Sequence, residues 1–564
     1  MYCIGPVCFI PLPANVPTIF GFSEFLTGLA LMVVAWTIAD VRYRFRVRTA
    51  PLPIERLSFW VVAAVGTLTL LTDLWRSERW LVPEGPVLTP AGWQALLASV
   101  FLVTFLSWVW FAIVRPPVFG RLNAKRYAHT LYQTILKGAP SELSVIADEC
   151  ARSMPSLVSY AVELHHPSVN PTTTLQVSPT QMFATDIIQL IADKRFCRTI
   201  VESSPILPLV LFQEMKTSGK HYLPIRPFAR NLFSAAIADM NSFLFNETHR
   251  YDSGLLGDHK PLTQAMFGDY ELVEDIGALL DPPYHEVTEW NAEQWRAYCR
   301  VALMALEGYA SRAHHQHSYV FYGVKENLGH ALSDVYRVNN RGAEAWEHPS
   351  IQHLRLVVDF ITKAADILDS KGVPSAATRR HRGQQPQESF YDHLAQLAFE
   401  AIFSASYVQS DRDLCWMVQH NMTWGRLFNF SHLKGPAGRV VKLKVRRLLY
   451  DAVTEMTQFP NFKGAKILAF CLNVMGLKPD RREYYRDSYA LHCAIISWTK
   501  RYFAWLHGYN ERVAAACLVD GTSYEPATLE IVKTYPVEGL RRRAEEVRLK
   551  VGPALPPDGP VSSE

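Results

Sequence analysis

The feature that most constrains this chain is a set of three apolar runs close to its N-terminus. They cover residues 19–41, 57–75 and 93–114, and each approaches the ~20 residues that a helix needs to cross about 30 Å of hydrocarbon. The third run has no ionisable residue, and the acidic residues of the other two, Glu24, Asp40 and Asp73, stand near the ends. The sequence therefore predicts three transmembrane helices in a membrane domain at residues 19–117.

Tryptophan residues near the ends of these runs support the same interpretation, because indole rings anchor helices at the membrane interface. The residues are Trp60, Trp75, Trp80, Trp93 and Trp110. The alternative, buried core helices of a soluble protein, is disfavoured because such helices rarely repeat at this length and apolarity. We expect the three end-placed carboxylates to lie at the interface, although intramembrane acids can also mark a polar path.

The arginine residues predict how the runs are oriented. Five of them, Arg42, Arg44, Arg46, Arg48 and Arg56, lie between the first and second runs, and more basic residues follow the third. Residues 1–18 carry no charged side chain, and the charges after the second run nearly cancel. By the positive-inside rule, we expect an inner (plasma) membrane protein with an outside N-terminus and a cytoplasmic C-terminal region.

Two cysteine residues lie in the tail at residues 1–18, which this orientation places in an oxidising compartment. Cys3 and Cys8 are therefore candidates for a disulfide. The alternative is a pair of apolar thiols at the membrane surface, and the sequence does not supply the Cα separation that would decide. The other seven cysteines are scattered without a CxxC motif, and we expect them to be reduced.

Beyond residue 117 the pattern is that of a helical protein. Apolar residues recur every three to four positions in residues 179–196, 292–310, 351–368 and 391–408, as in helices that pack one face and expose the other. Two short runs, at residues 439–445 and 528–535, could instead be strands. The sequence predicts an all-α fold, with a solenoid-like stack as one packing of the helices, although no fixed repeat period occurs.

Segments rich in Pro, Ser, Thr, Gly and Gln suggest the domain boundaries. They cover residues 165–180, 372–389 and 552–564. The predicted organisation is a short extracytoplasmic tail (1–18), the membrane domain (19–117), a connecting helical segment and linker (118–179), two cytoplasmic helical domains (180–371 and 388–551) and a disordered tail (552–564).

Few residues carry a recognisable chemistry. Motifs for a P-loop, a dinucleotide fold, a zincin and a serine hydrolase are absent from the sequence, and no cofactor is predicted. His314 and His317 stand one helical turn apart, and with His330 or Glu307 they could hold a metal. The alternative is that these are ordinary solvated or core histidines.

One basic stretch is a candidate for binding an anionic surface. It contains Lys434, Arg439, Lys442, Lys444, Arg446 and Arg447. Attachment to a membrane favours anionic lipid as its partner, because the lipid is close by. The alternative is a solvated helix face whose apolar side packs inward.

The residues do not specify a reaction. The net charge of +4 over 564 residues gives no support for a nucleic-acid partner. The leading hypothesis is a membrane-anchored helical protein, a sensor or scaffold, whose cytoplasmic region binds a ligand, a protein partner or a second copy of the chain. The alternatives are a membrane-tethered enzyme with a metal site near His314, and an oligomeric pore or membrane effector.

Overall fold

A computed structural model of the chain describes residues 2–4, 7–11, 18–38, 40–84, 89–163, 177–248, 259–312, 317–371, 389–410, 412–429, 433–479, 487–535 and 543–554. These residues are mostly helical, which confirms the predicted helical character. Most of the proposed linkers and tail, at residues 164–176, 372–388 and 555–564, lie outside the described residues. The predicted domain boundaries stay a prediction, and the chain divides into two units, Met1–Ala235 and Ala236–Glu564.

The first unit contains a small sheet and the apolar helices. Its strands are β1 (Tyr2–Ile4), β2 (Val7–Pro11) and β3 (Leu81–Glu84). Its helices are α1 (Phe22–Ile38), α2 (Val41–Arg48), α3 (Ile54–Ser77), α4 (Pro90–Val109) with a π-helical turn (Trp110–Val114), α5 (Ala124–Lys137), α6 (Pro140–Tyr160), α7 (Pro179–Leu190), α8 (Lys194–Ser203), α9 (Ile206–Ser218) and α10 (Arg226–Ala238), which runs past the boundary of the unit.

Two of these helices are long and apolar enough to cross a membrane, where the sequence predicted three. They are α3 and the continuous helix Pro90–Val114. The first apolar run gives α1, whose 17 residues are fewer than the ~20 that a spanning helix needs, and the arginine-rich α2 begins at Val41.

Helix α1 packs against both long helices. The buried side chains shared by the three helices are Phe25, Met32, Val62, Val65 and Leu97. The Phe25 ring lies edge-on to the Phe101 ring, with 5.6 Å between their centroids. Glycine is required at two contacts, because a Cβ at Gly28 would lie 2.9 Å from the Phe101 ring and a Cβ at Gly66 2.7 Å from the Phe25 ring.

Polar contacts tie the start of α1 to one end of the other two helices. The backbone N–H of Phe22 donates to Asp73 at the end of α3, with an N–O distance of 2.7 Å. The N–H of Ile19 donates to Gln94 near the start of α4 at 2.8 Å. The sheet, in the order β1-β2-β3, also pairs the N-terminal strands with the connection between α3 and α4. Helix α1 therefore starts at the β3 end of α3.

The second unit holds the remaining elements. Its helices are α11 (Phe243–Thr248), α12 (Pro261–Phe267), α13 (Tyr270–Ile276), α14 (Tyr284–Val287), α15 (Ala292–Ser311), α16 (Tyr319–Ala331), α17 (Pro349–Lys371), α18 (Phe390–Ser406), α19 (Arg412–Trp416), α20 (Pro436–Glu455), α21 (Phe462–Met475), α22 (Tyr489–Tyr509) and α23 (Glu511–Ala516). It also contains 3-10 helices (Val335–Val338 and Gly342–Glu347), a π-helix (Met417–Asn429) and strands β4 (Thr522–Glu525), β5 (Glu530–Tyr535) and β6 (Glu545–Lys550).

Helix α18 is the centre of this unit. It contacts α16, α17, α20, α21 and the π-helix, and its side chains are buried on nearly every side. The predicted exposed face of this helix is therefore wrong, because His393, Phe399 and Ser406 are buried although they lie outside the regular apolar stripe. A helix surrounded by five others also differs from a solenoid, in which each repeat contacts only its neighbours.

The two strand-like runs have different outcomes. Residues 439–445 belong to helix α20, because Val441, Val445, Leu449 and Val453 recur every four residues and are all buried. Residues 528–535 do include a strand, β5, which lies between β4 and β6 in an antiparallel sheet. The two small sheets are the departure from an all-α fold.

Candidate functional site

The structure does not assemble the predicted metal site from the residues that it describes. Glu307 on α15 and His330 on α16 are exposed, and the His330 ring packs edge-on against Tyr284 with 4.9 Å between centroids. His317 is half-buried just before α16. In the described ranges, no three His, Cys, Asp or Glu residues form a group that could hold a metal ion. His314 lies outside those ranges, so the metal site stays a prediction.

The basic stretch lies on and just before α20, and several of its cations are held by groups of the same unit. Lys442 is buried and forms an ion pair with Asp487. Arg446 donates to the carbonyl oxygen of Asp487 at 2.7 Å. Lys444 forms an ion pair with Asp392 on α18. These contacts join α20 to its neighbours and leave fewer charges for an external anion.

The other three cations of the stretch are exposed. Arg447 forms an ion pair with Asp451 one turn further along α20, with an N–O distance of 2.9 Å. Lys434 and Arg439 lie at the start of the helix. The prediction of an anionic-surface site remains, and Lys434 and Arg439 are the residues on which it now chiefly depends.

Cys3 and Cys8 are brought opposite each other by the N-terminal hairpin. Strands β1 and β2 are antiparallel, and Cys3 is the direct partner of Cys8 in their register. Directly opposed Cα atoms in such strands are about 4.5–5.5 Å apart, which falls inside the range that a disulfide requires. The backbone separation that the sequence could not supply is therefore suitable.

The most constrained polar group of the first unit is an ion pair between Arg46 on α2 and Glu149 on α6. Arg46 Nε lies 2.9 Å from Glu149 Oε2, and Arg46 Nη2 lies 2.6 Å from Oε1. The third nitrogen, Nη1, donates to the carbonyl oxygen of Ala112 at 2.9 Å. The two side chains are only 9% and 5% exposed. The arrangement joins α2, the π-helical end of α4 and α6 through one guanidinium group.

Further contacts hold α2 against the start of α5. The Phe45 ring lies edge-on to Tyr127 on α5, with 5.5 Å between centroids. Asn123 Nδ2 donates to the carbonyl oxygen of Thr49 at 2.7 Å. The arginine residues of this segment were expected only to set the membrane orientation. The sequence did not predict the structural role of Arg46, because its partner lies about a hundred residues away. The one available signal was the apolar pair Phe45 and Val47 on either side of it.

The second unit contains a chain of buried polar side chains between the π-helix, α21 and β5. Asn473 Nδ2 donates to Gln419 Oε1 at 2.9 Å, and the Lys533 ammonium donates to Asn473 Oδ1 at 2.6 Å. Lys533 also lies 3.9 Å from Asp520, which is 2.9 Å from Arg412 Nε. The Lys533 and Asp520 side chains are 1% and 3% exposed. The chain joins the C-terminal sheet to the helices, and it reaches solvent only through Arg412, which is 34% exposed.

The same π-helix carries a histidine that remains neutral. The His420 ring stacks on Trp416 with 3.6 Å between centroids. Burial, together with the Lys533 ammonium, lowers the pKa of His420 to about 3. Because an ordinary imidazole titrates near 6.5, this one carries no charge at physiological pH and cannot act as a proton switch there.

An exposed aromatic face lies on helix α16. Tyr319 and Tyr322, one turn apart, are 79% and 42% exposed, and His330 stands further along the helix. The His317 ring packs edge-on against Tyr319, with 4.9 Å between centroids. The Lys325 ammonium lies 4.9 Å from the centre of the Tyr322 ring. Tyrosine side chains are enriched at protein interfaces, so this α16 face is the candidate partner site of the second unit.

Comparisons of the chain with protein-family models, with curated proteins and with solved structures found no match. The geometry of the apolar helices, the ion pair and the α16 face is therefore the basis for a functional proposal.

Replacing Glu149 with Gln should destabilise the first unit. The substitution keeps the shape of the side chain but leaves the Arg46 guanidinium buried without a countercharge, which costs about 3–5 kcal/mol when a buried pair is broken. The matched control is Glu55→Gln, which breaks the exposed pair between Arg48 and Glu55 and should cost under ~1 kcal/mol. Thermal unfolding in detergent, followed by tryptophan fluorescence, measures both. Equal midpoints for the two variants would contradict a stabilising role.

Cys3 and Cys8 should form a disulfide when the chain is exported to an oxidising compartment. The expected product is a single intramolecular bond, because the two residues are paired in the backbone register of one hairpin. Mass spectrometry of peptides from unreduced and reduced protein would detect it, with Cys3→Ser as the control that leaves Cys8 alkylatable. Full alkylation of both thiols in unreduced wild-type protein would refute the bond.

Proposed function

We propose that the chain is a membrane protein with three spans, α1, α3 and the helix Pro90–Val114, whose helical cytoplasmic region binds a protein partner. In this proposal the N-terminus lies outside and the region after residue 117 lies in the cytoplasm. The bilayer is the first partner, and the function is that of an anchored scaffold or sensor rather than a catalyst.

The path of the chain at the two ends of α3 is the observation that carries the proposal. The N-terminal strands precede α1 and pair with β3, which follows α3, so α1 starts at the C-terminal end of α3. Helix α1 is followed by α2, which precedes α3, so α1 ends at the N-terminal end of α3. If α3 crosses a membrane, its two ends lie on opposite sides. Because α1 connects the same two ends, it must then cross as well, although at 17 residues it is at the short limit for a span.

The exposure of apolar side chains supports a lipid environment. Only 28% of the most apolar stretch of α3 is buried, and only 17% of the most apolar stretch of Pro90–Val114. A core helix of a soluble protein is instead mostly buried. Leu31 on α1, Trp60 on α3 and Val103 on α4 are each more than 60% exposed. Soluble proteins rarely expose so much contiguous apolar surface, because its contact with water is unfavourable.

The cytoplasmic part is proposed to bind through the α16 face. Tyr319 is the most exposed tyrosine of this face, and its neighbours Tyr322 and His317 provide a partly packed aromatic support. Such rings contribute large contact area with little loss of rotamer entropy. The partner is therefore expected to be a protein with a complementary apolar or cationic surface, or a second copy of the chain.

The two alternatives have less support in the described residues. An enzyme with a metal near His314 depends on residues outside them. A pore would need several copies, because three helices cannot enclose an aqueous channel, and no observation here favours such an oligomer.

Reporter fusions test the orientation. Fusions after Ala50, Glu84 and Glu564 should report inside, outside and inside, because the arginine residues around α2 favour the cytoplasmic side. If α1 does not cross the membrane, the N-terminus and Ala50 lie on the same side. An N-terminal tag is the matched check, and in the proposed topology it is accessible only from outside. An outside signal from the fusion at Glu564 would reject the topology.

A photo-crosslinking residue tests the α16 face. A benzoylphenylalanine at Tyr319 should give a discrete crosslinked product in cells, because an interface holds the ring within reach of its partner. The control is the same residue at Tyr509, which is 67% exposed but lies on α22. Similar yields from the two positions, or the absence of a product at both, would argue against a specific interface at α16.

A further inference from the structure

An apolar groove of about 570 Å³ lies between α1 and α3. Its wall includes Leu29 and Trp36 from α1 and Phe59, Ala63 and Thr67 from α3. The volume is in the range of sites that bind small molecules, about 300–1,000 Å³. The groove extends from Phe22 to Trp36, which at 1.5 Å per residue is roughly 21 Å and exceeds the ~15 Å thickness of one hydrocarbon leaflet. A single extended acyl chain therefore fits along it.

A cation stands one turn beyond the α3 lining of the groove. Phe59, Ala63, Thr67 and Leu70 line the groove, and Arg56, three residues before Phe59, lies on the same face of the helix. Arg56 is exposed and has no ion-pair partner in the part of the chain that the structure describes. Its neighbour Glu55 is already paired with Arg48 at 3.0 Å. A phosphate at the mouth of the groove would therefore meet an available guanidinium.

The α1 side of the groove carries an unsatisfied donor at the same end. The indole Nε1 of Trp36 is buried and has no hydrogen-bond acceptor among the described residues. The hydroxyl of Ser58, one residue before Phe59, is also buried without a partner in that set. Inside a membrane water cannot satisfy such groups, and each unsatisfied one is costly. An oxygen from a bound molecule would remove part of this cost.

We propose that the groove is a binding site for an anionic glycerophospholipid of the cytoplasmic leaflet. One acyl chain lies along the groove, an ester carbonyl accepts from the Trp36 indole after a small adjustment of the ring, and the phosphate contacts Arg56. The inference rests on the proposed membrane position of α1 and α3, and it identifies one lipid class that they select.

Native mass spectrometry of the full chain in detergent tests the site. The probes are phosphatidylglycerol and phosphatidylcholine with identical acyl chains, and the readout is the fraction of protein that retains one lipid. Ala63→Phe fills the groove, whereas Ala64→Phe adds the same bulk at an exposed position that does not line it. Arg56→Gln removes the cation, and Arg115→Gln removes an exposed arginine at the end of α4. Trp36→Phe removes the indole N–H together with part of the ring, and it keeps an aromatic side chain.

The wild-type chain should retain phosphatidylglycerol in preference to phosphatidylcholine. Ala63→Phe should reduce retention by roughly tenfold or more, and Arg56→Gln by about fivefold, because one cation near an anionic lipid is worth ~1 kcal/mol. Trp36→Phe should weaken retention of both lipids. Ala64→Phe and Arg115→Gln should behave as wild type.

Three results would overturn the proposal. The first is that Ala63→Phe retains as much lipid as the wild-type chain. The second is that the wild-type chain retains both lipids equally and Arg56→Gln has no effect, and the third is that the wild-type chain is a lipid-free dimer that Ala63→Phe converts to a monomer. If Ala63→Phe does not fold, Arg56→Gln decides, because Arg56 is exposed. The reporter fusions test the spans independently. If the wild-type chain reports inside, outside and inside but retains no lipid, the lipid site is rejected and the membrane proposal stays intact.

Discussion

The buried ion pair between Arg46 and Glu149 is the contact on which the first unit most depends. A guanidinium group removed from water is costly unless its donors are satisfied, and here all three nitrogens have an acceptor on α6 or at Ala112. The same geometry fixes α2 between the end of the apolar helices and helix α6. The position of the apolar bundle relative to α6 is thereby defined by an interaction that has one good geometry.

Close helix packing then shapes the apolar bundle. Gly28 and Gly66 let the rings of Phe101 and Phe25 approach the helix backbones, which brings α1 against both α3 and α4 over part of its length. The groove between α1 and α3 runs alongside these contacts, from Phe22 to Trp36, and Phe25 and Gly66 are part of its lining.

The second unit is stabilised differently, by a central helix and by a series of buried polar side chains that contact one another. Helix α18 buries apolar side chains on nearly all sides, and the Lys533 ammonium is satisfied by Asn473 and Asp520. Buried charges of this kind constrain packing, because only one arrangement supplies their partners. On α16, the Tyr322 ring packs against His393 of α18 with 5.8 Å between centroids, whereas Tyr319 is 79% exposed.

The sequence by itself determined the helical character, the apolar N-terminal segment and single helices such as α17, whose eight regularly spaced apolar residues are all buried. These features are local, since hydrophobic periodicity acts over one or two turns. Only the tertiary structure decided which arginine is internal and that helix α18 is buried on nearly every side. It also showed that Lys442 and Lys444 are held inside the unit. Each of these depends on a partner distant in the chain, and no local pattern records such a partner.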